Sequence, residues 1–549
     1  MVRIWSEFFN SASAGQLTAD TTKRCLARQA AGTGRLRGHR LIQHWCRHLG
    51  GIIALRTYWR SAVVITDPFL LQEFFAAERA GAFEKPSVSG GFKDKVTGRA
   101  PEKGLFSEHT AHPLWKTVRK GVAPAFQPAN LRVFHHHIVD IMQQLIAAIK
   151  EKGPGADIDM SDVGQRESFD TIGRVGFDFD FGTSRTLSEA AAATFADSSG
   201  KDVFQTFGLT LSESFKRVSN PLRRFMFFSP DVRRGTEAMQ RTQDMARALL
   251  AHVQAGSPEP RSVAAHLLAL RDPTRPGDTP LADARLQSEL LTFFLAGSET
   301  TGHTIAWTMF LLGKHPEAMA RLEAELDAAG LLVTPERPQP RTFTYADISK
   351  LPWLDACVKE SMRLQPVAHA GLRRVATRDV AFSSGLRIPK GTTVLGSQLS
   401  LMSDPAWGWK DPDAFKPGYS PWIWQHPGAF KPERFSDADT EYLVLGPDGV
   451  SPTGAKAPAA NEGSAKADNK AKRFTPFGNG IRNCVGQQLA MSNVPTAVAM
   501  LTAEFKMTLS PEILDKSIQD LEITRGTLQP KGAIPMRCVP RSSSLRRPS

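Results

Sequence analysis

From Pro280 to Lys314 the chain reads as a single helix of thirty-five residues. Thr279 is placed to cap it, and Pro280 suits a first turn. Between Leu290 and Leu312 it is apolar nearly all round. A helix with no polar face has to be enclosed by other elements. At 1.5 Å per residue this one would run about 50 Å. The chain must therefore build a large body around it. With 549 residues, 41% hydrophobic and 22% charged, it has the material. That composition excludes a mostly disordered chain, a collagen-like repeat and a multi-span membrane protein.

The net charge of +13 suggests nucleic-acid binding until it is located. Residues 1–60 hold ten Lys/Arg and two Asp/Glu, and residues 531–549 hold five Lys/Arg and no acid. The segment between carries 53 of each sign, so the body has no net field for nucleic acid. The basic ends suit an anionic membrane surface or plain solvation. Residues 1–40 form a basic leader, disordered or targeting in character. No stretch reaches the roughly 18 apolar residues of a membrane span, so no transmembrane anchor is expected.

Residues 52–68 read as two short strands and a turn, followed by a helix over FLLQEFFAAERA. Residues 134–151, 162–176 and 235–255 have helical periodicity. A further helix follows His315–Pro316 and stops near Gly330, and another covers about 353–364. Strand-like pieces fill 372–395. The expected fold class is mainly α with small β-sheets (α+β). The expected organisation is one large domain over 41–540 and a basic tail over 541–549.

Two segments inside that domain are unusual. Trp407-x-Trp409-x-x-Pro412-x-Ala414-Phe415-Lys416-Pro417 recurs fifteen residues later as Trp422-x-Trp424-x-x-Pro427-x-Ala429-Phe430-Lys431-Pro432. Two copies of so short a unit make a local duplication over 407–432, not a solenoid. Residues 440–472 are low in complexity and read as a disordered surface insertion.

Cys484 carries the chemistry. It lies in Phe477-Gly478-Asn479-Gly480-Ile481-Arg482-Asn483-Cys484-Val485-Gly486, just before a helical stretch. A helix N-terminus favours thiolate, and flanking glycines let backbone N–H groups approach the sulfur. With no second Cys or His nearby, zinc fits poorly. A single thiolate below a haem fits well, with Arg482 available to a propionate. A buried structural cysteine after a Gly-rich turn is the ordinary alternative.

Phe477 to Gly486 resembles the FxxGxRxCxG signature of the cytochrome P-450 superfamily at every fixed position. The resemblance covers about 100–530. It implies that Cys484 is the axial ligand of haem b, with Phe477 and Arg482 also at the cofactor. Glu360 and Arg363 resemble the family's ExxR pair, and Pro432-Glu433-Arg434-Phe435 its PERF element. Glu360, Arg363 and Arg434 would then form a buried structural ion network. The PERF role goes to the second copy of the duplication. Ala296-Gly297-Ser298-Glu299-Thr300-Thr301 resembles the oxygen-activation segment. There Gly297 would let the helix bulge, and Glu299 and Thr300 would deliver protons. Trp115-x-x-x-Arg119 resembles the propionate-binding WxxxR, and Arg374 the further propionate arginine, with Arg373 its competitor.

The implied activity is a monooxygenase that inserts one oxygen atom of O2 into a lipophilic small molecule. A sterol, fatty acid, carotenoid or terpenoid would suit. No flavin, nicotinamide or iron–sulfur fingerprint is present, so electrons would come from NADPH through a separate diflavin reductase, or from a ferredoxin. The alternatives are a reductase-independent peroxide or isomerase-type enzyme and a non-catalytic haem-binding protein. By family analogy the location would be the endoplasmic-reticulum surface or an organelle, with peripheral membrane contact. His135-His136-His137 suggests a metal, but neighbouring helix residues point apart. The phenylalanines at 204, 207, 215, 225, 227 and 228 suit a substrate channel, lipid contact or core packing.

Overall fold

The computed structural model describes residues 2–4, 38–57, 60–85, 103–187, 203–219, 221–370, 372–403, 428–436, 441–444 and 470–542. The polypeptide forms two compact units, each from two separate stretches of chain. One comprises Met1–Pro86 with Arg363–Cys484, and the other Ser87–Met362 with Val485–Ser549. Helices dominate and the sheets are small, as the periodicity predicts.

The first unit is built on a six-stranded sheet. Its order is Val2–Ile4, Ile52–Thr57, Arg60–Ile65, Thr393–Gly396, Leu372–Ala376 and Phe83–Glu84. Arg60–Ile65 pairs parallel with Thr393–Gly396, and the other pairings are antiparallel. The helix Pro68–Arg79 starts where Asp67 Oδ1 accepts the Phe69 and Leu70 N–H groups, at 2.8 and 3.1 Å. That cap satisfies two otherwise orphaned donors. Phe69, Leu70 and Phe74 of this helix bury against Val63, Ile65, Leu372 and Val394 of the sheet.

The second unit surrounds the long helix, which spans Asp283–Lys314. Its start lies three residues later than Pro280 suggests. Pro280 forms a β-bridge with Arg271, and Thr279 O accepts the Asp272 N–H at 2.8 Å. Ala282 therefore stands at the N-cap, without a side-chain cap bond. The helix Met160–Thr171 lies close along it. A Cβ on Gly164 would sit 2.4 Å from Gly302 O, so only glycine permits the approach. Ser168 Oγ then donates across to Ser298 O at 2.7 Å. The hairpin Glu522–Arg525 and Thr527–Pro530 turns at Gly526, whose φ of +96° suits glycine. Trp307 Nε1 donates to Leu528 O in that hairpin at 3.4 Å.

Two expectations are adjusted. Val2–Ile4, within the supposed leader, is an edge strand on Ile52–Thr57, and a helix begins at Gly38. The insertion at 440–472 has ordered ends. Tyr442–Val444 and Lys470–Lys472 pair antiparallel, with Ala471 buried in the core of the first unit. The rest of the insertion and the first copy of the duplication lie outside the described residues. His135 is a core residue, bonded to Thr496 Oγ1 at 3.0 Å and pushed by burial to about 4.

Glu167, on Met160–Thr171, is fully buried. Burial pushes its carboxyl up from 4.5 to about 8, although Thr171 Oγ1 donates to it at 2.9 Å. The folded form thus keeps a proton that the unfolded chain releases near 4.5. The stability this group contributes is complete below that pH and is lost as pH rises through about 8. Glu167→Gln, a neutral near-isostere, should therefore gain Tm relative to the wild type as pH is raised from about 6 to 9. Thermal melts across that range check this. A difference that stays constant with pH would contradict it.

Candidate haem-thiolate site

The loop carrying Cys484 is shaped by its glycines. Gly478 and Gly480 sit at φ +71° and +74°, where other residues are strained. A Cβ on Gly480 would also lie 2.4 Å from the Phe75 ring and 2.8 Å from Glu78 Oε2. The Cys484 N–H donates to Phe477 O at 2.9 Å, closing the loop on itself. The thiol is left exposed, whereas Cys46, Cys357 and Cys538 are buried. Burial pushes the Cys538 thiol up to about 12, so it stays protonated.

Cations gather beside this loop. Arg374 is buried, and its Nε donates to Glu78 Oε1. Arg373, its competitor by sequence, is exposed. Lys85 is pushed down from 10.5 to about 6, first by burial and then by the charges of Arg482 and Arg374. Three bases thus share a region in which Glu78 is bound to one of them. Such a cluster suits a dianion. With an exposed thiol on the neighbouring loop, these residues fit a haem, whose propionates supply that charge. Sequence reasoning finds Arg374 and Arg482 but misses Lys85. It lies outside every motif, and only folding brings it to the two arginines.

The loop's support is visible in the same unit. Arg363 is fully buried, and its guanidinium donates to Met402 O at 3.2 Å and Ala429 O at 3.3 Å. Arg434 is 1% exposed in the short helix Pro432–Phe435. The Phe435 ring meets Phe474 edge-on at 4.8 Å, three residues before Phe477. The described end of the second copy of the duplication is thus joined to this core. Glu360 is also fully buried, one turn before Arg363 on the helix Pro352–Leu364.

In the second unit, Trp115 and Arg119 share one face of the helix Pro113–Val122, with Trp115 buried. On the long helix, the Thr300 hydroxyl is exposed and donates to Ala296 O at 2.7 Å. Ala296 is exposed too, on a helix otherwise mostly buried. Glu299 turns elsewhere and accepts from Thr527 Oγ1 at 2.9 Å and Gln529 Nε2 at 3.3 Å. Burial pushes its carboxyl from 4.5 to about 7, and the Thr527 bond opposes that rise. The expected bulge at Gly297 is not formed, and the helix is continuous there. The missing side chain instead admits Ile172, whose atoms lie 3.0 Å from a would-be Cβ.

A thiol presented on a glycine loop, an acid–alcohol pair on a long buried helix and a mainly helical fold define a haem-thiolate oxygenase. The chain belongs to the cytochrome P450 family, whose model matches residues 35–419 and 418–534. The seam between the two matches falls between the duplicated copies. The chain is similar to Cytochrome P450 3A13 of Mus musculus, 24% identical over 446 residues, covering 78% of this chain and 75% of that protein. It is similar to the Bifunctional cytochrome P450/NADPH--P450 reductase of Bacillus cereus, 24% identical over 508 residues. That match covers 91% of this chain and 40% of the relative. It is also similar to Cytochrome P450 97B2, chloroplastic, of Glycine max, 25% identical over 530 residues, covering 91% and 83%. As a family member it is a monooxygenase that uses haem b and O2.

If the cation cluster holds the propionates, Lys85→Gln and Arg374→Gln should each speed haem transfer to apomyoglobin, by about three- to tenfold. Rates equal to the wild type would contradict that role.

Proposed function

We propose that this chain hydroxylates a lipophilic small molecule with electrons from a separate NADPH-dependent diflavin reductase. One observation carries the reading: midway along a mostly buried helix, Ala296 and the Thr300 hydroxyl are open, beside an acid that titrates near neutrality. The apolar character proposed for the substrate is supported by one exposed aromatic near this stretch of the helix. Gly104 fits only because it lacks a Cβ, which would meet Thr292 Oγ1 at 2.2 Å, one turn before Ala296. The Leu105 N–H donates to buried Glu289 at 2.8 Å, and Arg285 bonds Glu108 at 2.9 Å. This clamp fixes a segment whose Phe106 is 65% exposed.

Haem bound through the Cys484 thiolate supplies O2 binding and activation. Phe477 and Arg482 of its loop, with Lys85, Arg374, Trp115 and Arg119, would hold the cofactor. The buried Glu360, Arg363 and Arg434 would keep the loop in place. Thr300 presents its hydroxyl to the open space. Glu299 passes protons in either direction near pH 7, because both of its forms are populated there. The experiment is incubation of the haem-loaded chain with a sterol, a fatty acid, a carotenoid and a terpenoid under isotopically labelled O2. NADPH is supplied with a diflavin reductase or with a ferredoxin system. The expected product carries one labelled oxygen atom and requires the diflavin reductase. Products formed only with ferredoxin, or with peroxide alone, would replace the proposed electron source. No product in any arm would favour the non-catalytic reading.

The reading includes peripheral membrane contact. Between the helices Val203–Ser219 and Pro230–Ala255, Leu222, Phe225, Phe227 and Phe228 are 51–74% exposed, and Arg233 and Arg234 follow on the surface. Phe207, by contrast, belongs to the core, 4.8 Å from the Phe294 ring. No described helix is long and apolar enough to cross a membrane. Aromatic tips flanked by arginines suit an anionic lipid surface. Phe227→Ser/Phe228→Ser should lower flotation with phosphatidylserine vesicles by about tenfold. Equal flotation would contradict the contact.

A further inference from the structure

The hairpin Glu522–Pro530 holds the acid of the relay, and no sequence motif marks this. Glu299 Oε1 accepts from Thr527 Oγ1 at 2.9 Å and from Gln529 Nε2 at 3.3 Å. Among the described residues these are its hydrogen-bond partners. Thr300, next in the chain, spends its hydroxyl proton on Ala296 O. The acid and the alcohol are thus adjacent in sequence but bonded in different directions. Two turns on, Trp307 bonds the hairpin at Leu528 O. The hairpin is therefore seated on the long helix by backbone as well as side-chain contact.

We propose that Thr527 and Gln529 are positioning residues that hold the Glu299 carboxyl on the hairpin, away from Thr300, and stabilise it when ionised. This rests on the reading of Glu299 as proton donor given above. The step is a simple exchange. The Glu299 O–H bond breaks and a new O–H bond forms on a solvent water, which carries the proton to the Thr300 side of the helix. The carboxylate left behind is held by the Thr527 O–H and Gln529 N–H donors, and solvent returns the proton. Because both donors sit on the hairpin, a molecule that displaces it would release Glu299 toward Thr300.

The elements packed here carry further ionisable groups, among them His303, Glu167, Asp170, Glu522 and Arg525. His303 lies one turn on in the same helix, buried, with Nδ1 lacking a partner and its ring pushed down to about 3. It stays neutral across the useful pH range. Glu167 belongs to the helix Met160–Thr171 and is also neutral at pH 7. Glu522 and Arg525 are on the first strand of the hairpin, Arg525 at its exposed tip.

The test is an infrared pH titration of the haem-loaded full chain, following the C=O stretch of the protonated carboxyl. Loss of the band in Glu299→Gln identifies it. The wild-type midpoint is expected at about 7. Thr527→Val and Gln529→Leu should each move it upward. A shift of about half a unit would lower the ionised fraction about threefold at a pH well below the midpoint. Thr527→Ser, which keeps the hydroxyl, should restore the wild-type midpoint. Midpoints unchanged in both Thr527→Val and Gln529→Leu would overturn the proposal. The reduced carbonyl spectrum of each variant separates the two failures. A wild-type chain that lacks the thiolate-type band refutes the functional reading itself. Unmoved midpoints with that band intact refute only the role of the hairpin.

Discussion

A guanidinium that no solvent reaches must be satisfied by the protein, or the surrounding fold is lost. Arg363 meets that demand with the carbonyls of Met402 and Ala429. Met402 precedes the duplicated segment and Ala429 lies in its second copy, so one buried charge ties both into the same core. From Ala429 the chain continues directly into Pro432–Phe435, whose Phe435 packs on Phe474. The cysteine loop starts three residues after that ring. In the proposed reading, the position of the thiol would depend on a charge 121 residues earlier in the chain. The fifteen-residue repeat lengthens the chain between these two anchors. Closing a longer loop adds only a slowly growing entropic cost.

The two sides of the chemistry place opposite demands on their surroundings. If Cys484 is the ligand, its thiol has to be reachable, and it is exposed on a glycine loop with basic residues in the same unit. The acid must hold a proton near neutrality, so Glu299 is kept out of water while two donors limit the rise in its pKa. Without them, burial alone would carry the carboxyl further from neutrality.

Much of this was legible in the chain. The helix Pro68–Arg79 follows from the Asp-Pro start and its apolar spacing, and the strands at 52–65 from alternation around a turn. The glycine loop around Cys484 was legible because the chemistry needs those residue types close together in sequence. What was not legible depends on long-range contact. Lys85 acquires its significance from Arg374 and Arg482, nearly 300 and 400 residues away. Thr527 and Gln529 matter only because the hairpin folds onto the long helix. Thr279 and Pro280 look like a helix start, yet a bridge to Arg271 takes that backbone first. Gly297 looks like a place for the helix to open, yet its space is used by Ile172.

The central claim is that Cys484, through its thiolate, is the axial ligand of a bound haem. The most direct measurement is the absorbance spectrum of the dithionite-reduced chain with and without carbon monoxide, for the wild type and for Cys484→His. The account predicts a strongly red-shifted Soret band in the wild-type carbonyl complex and a band at the ordinary haemoprotein position in Cys484→His. A wild-type carbonyl band at the ordinary position, or one unchanged by Cys484→His, would contradict it.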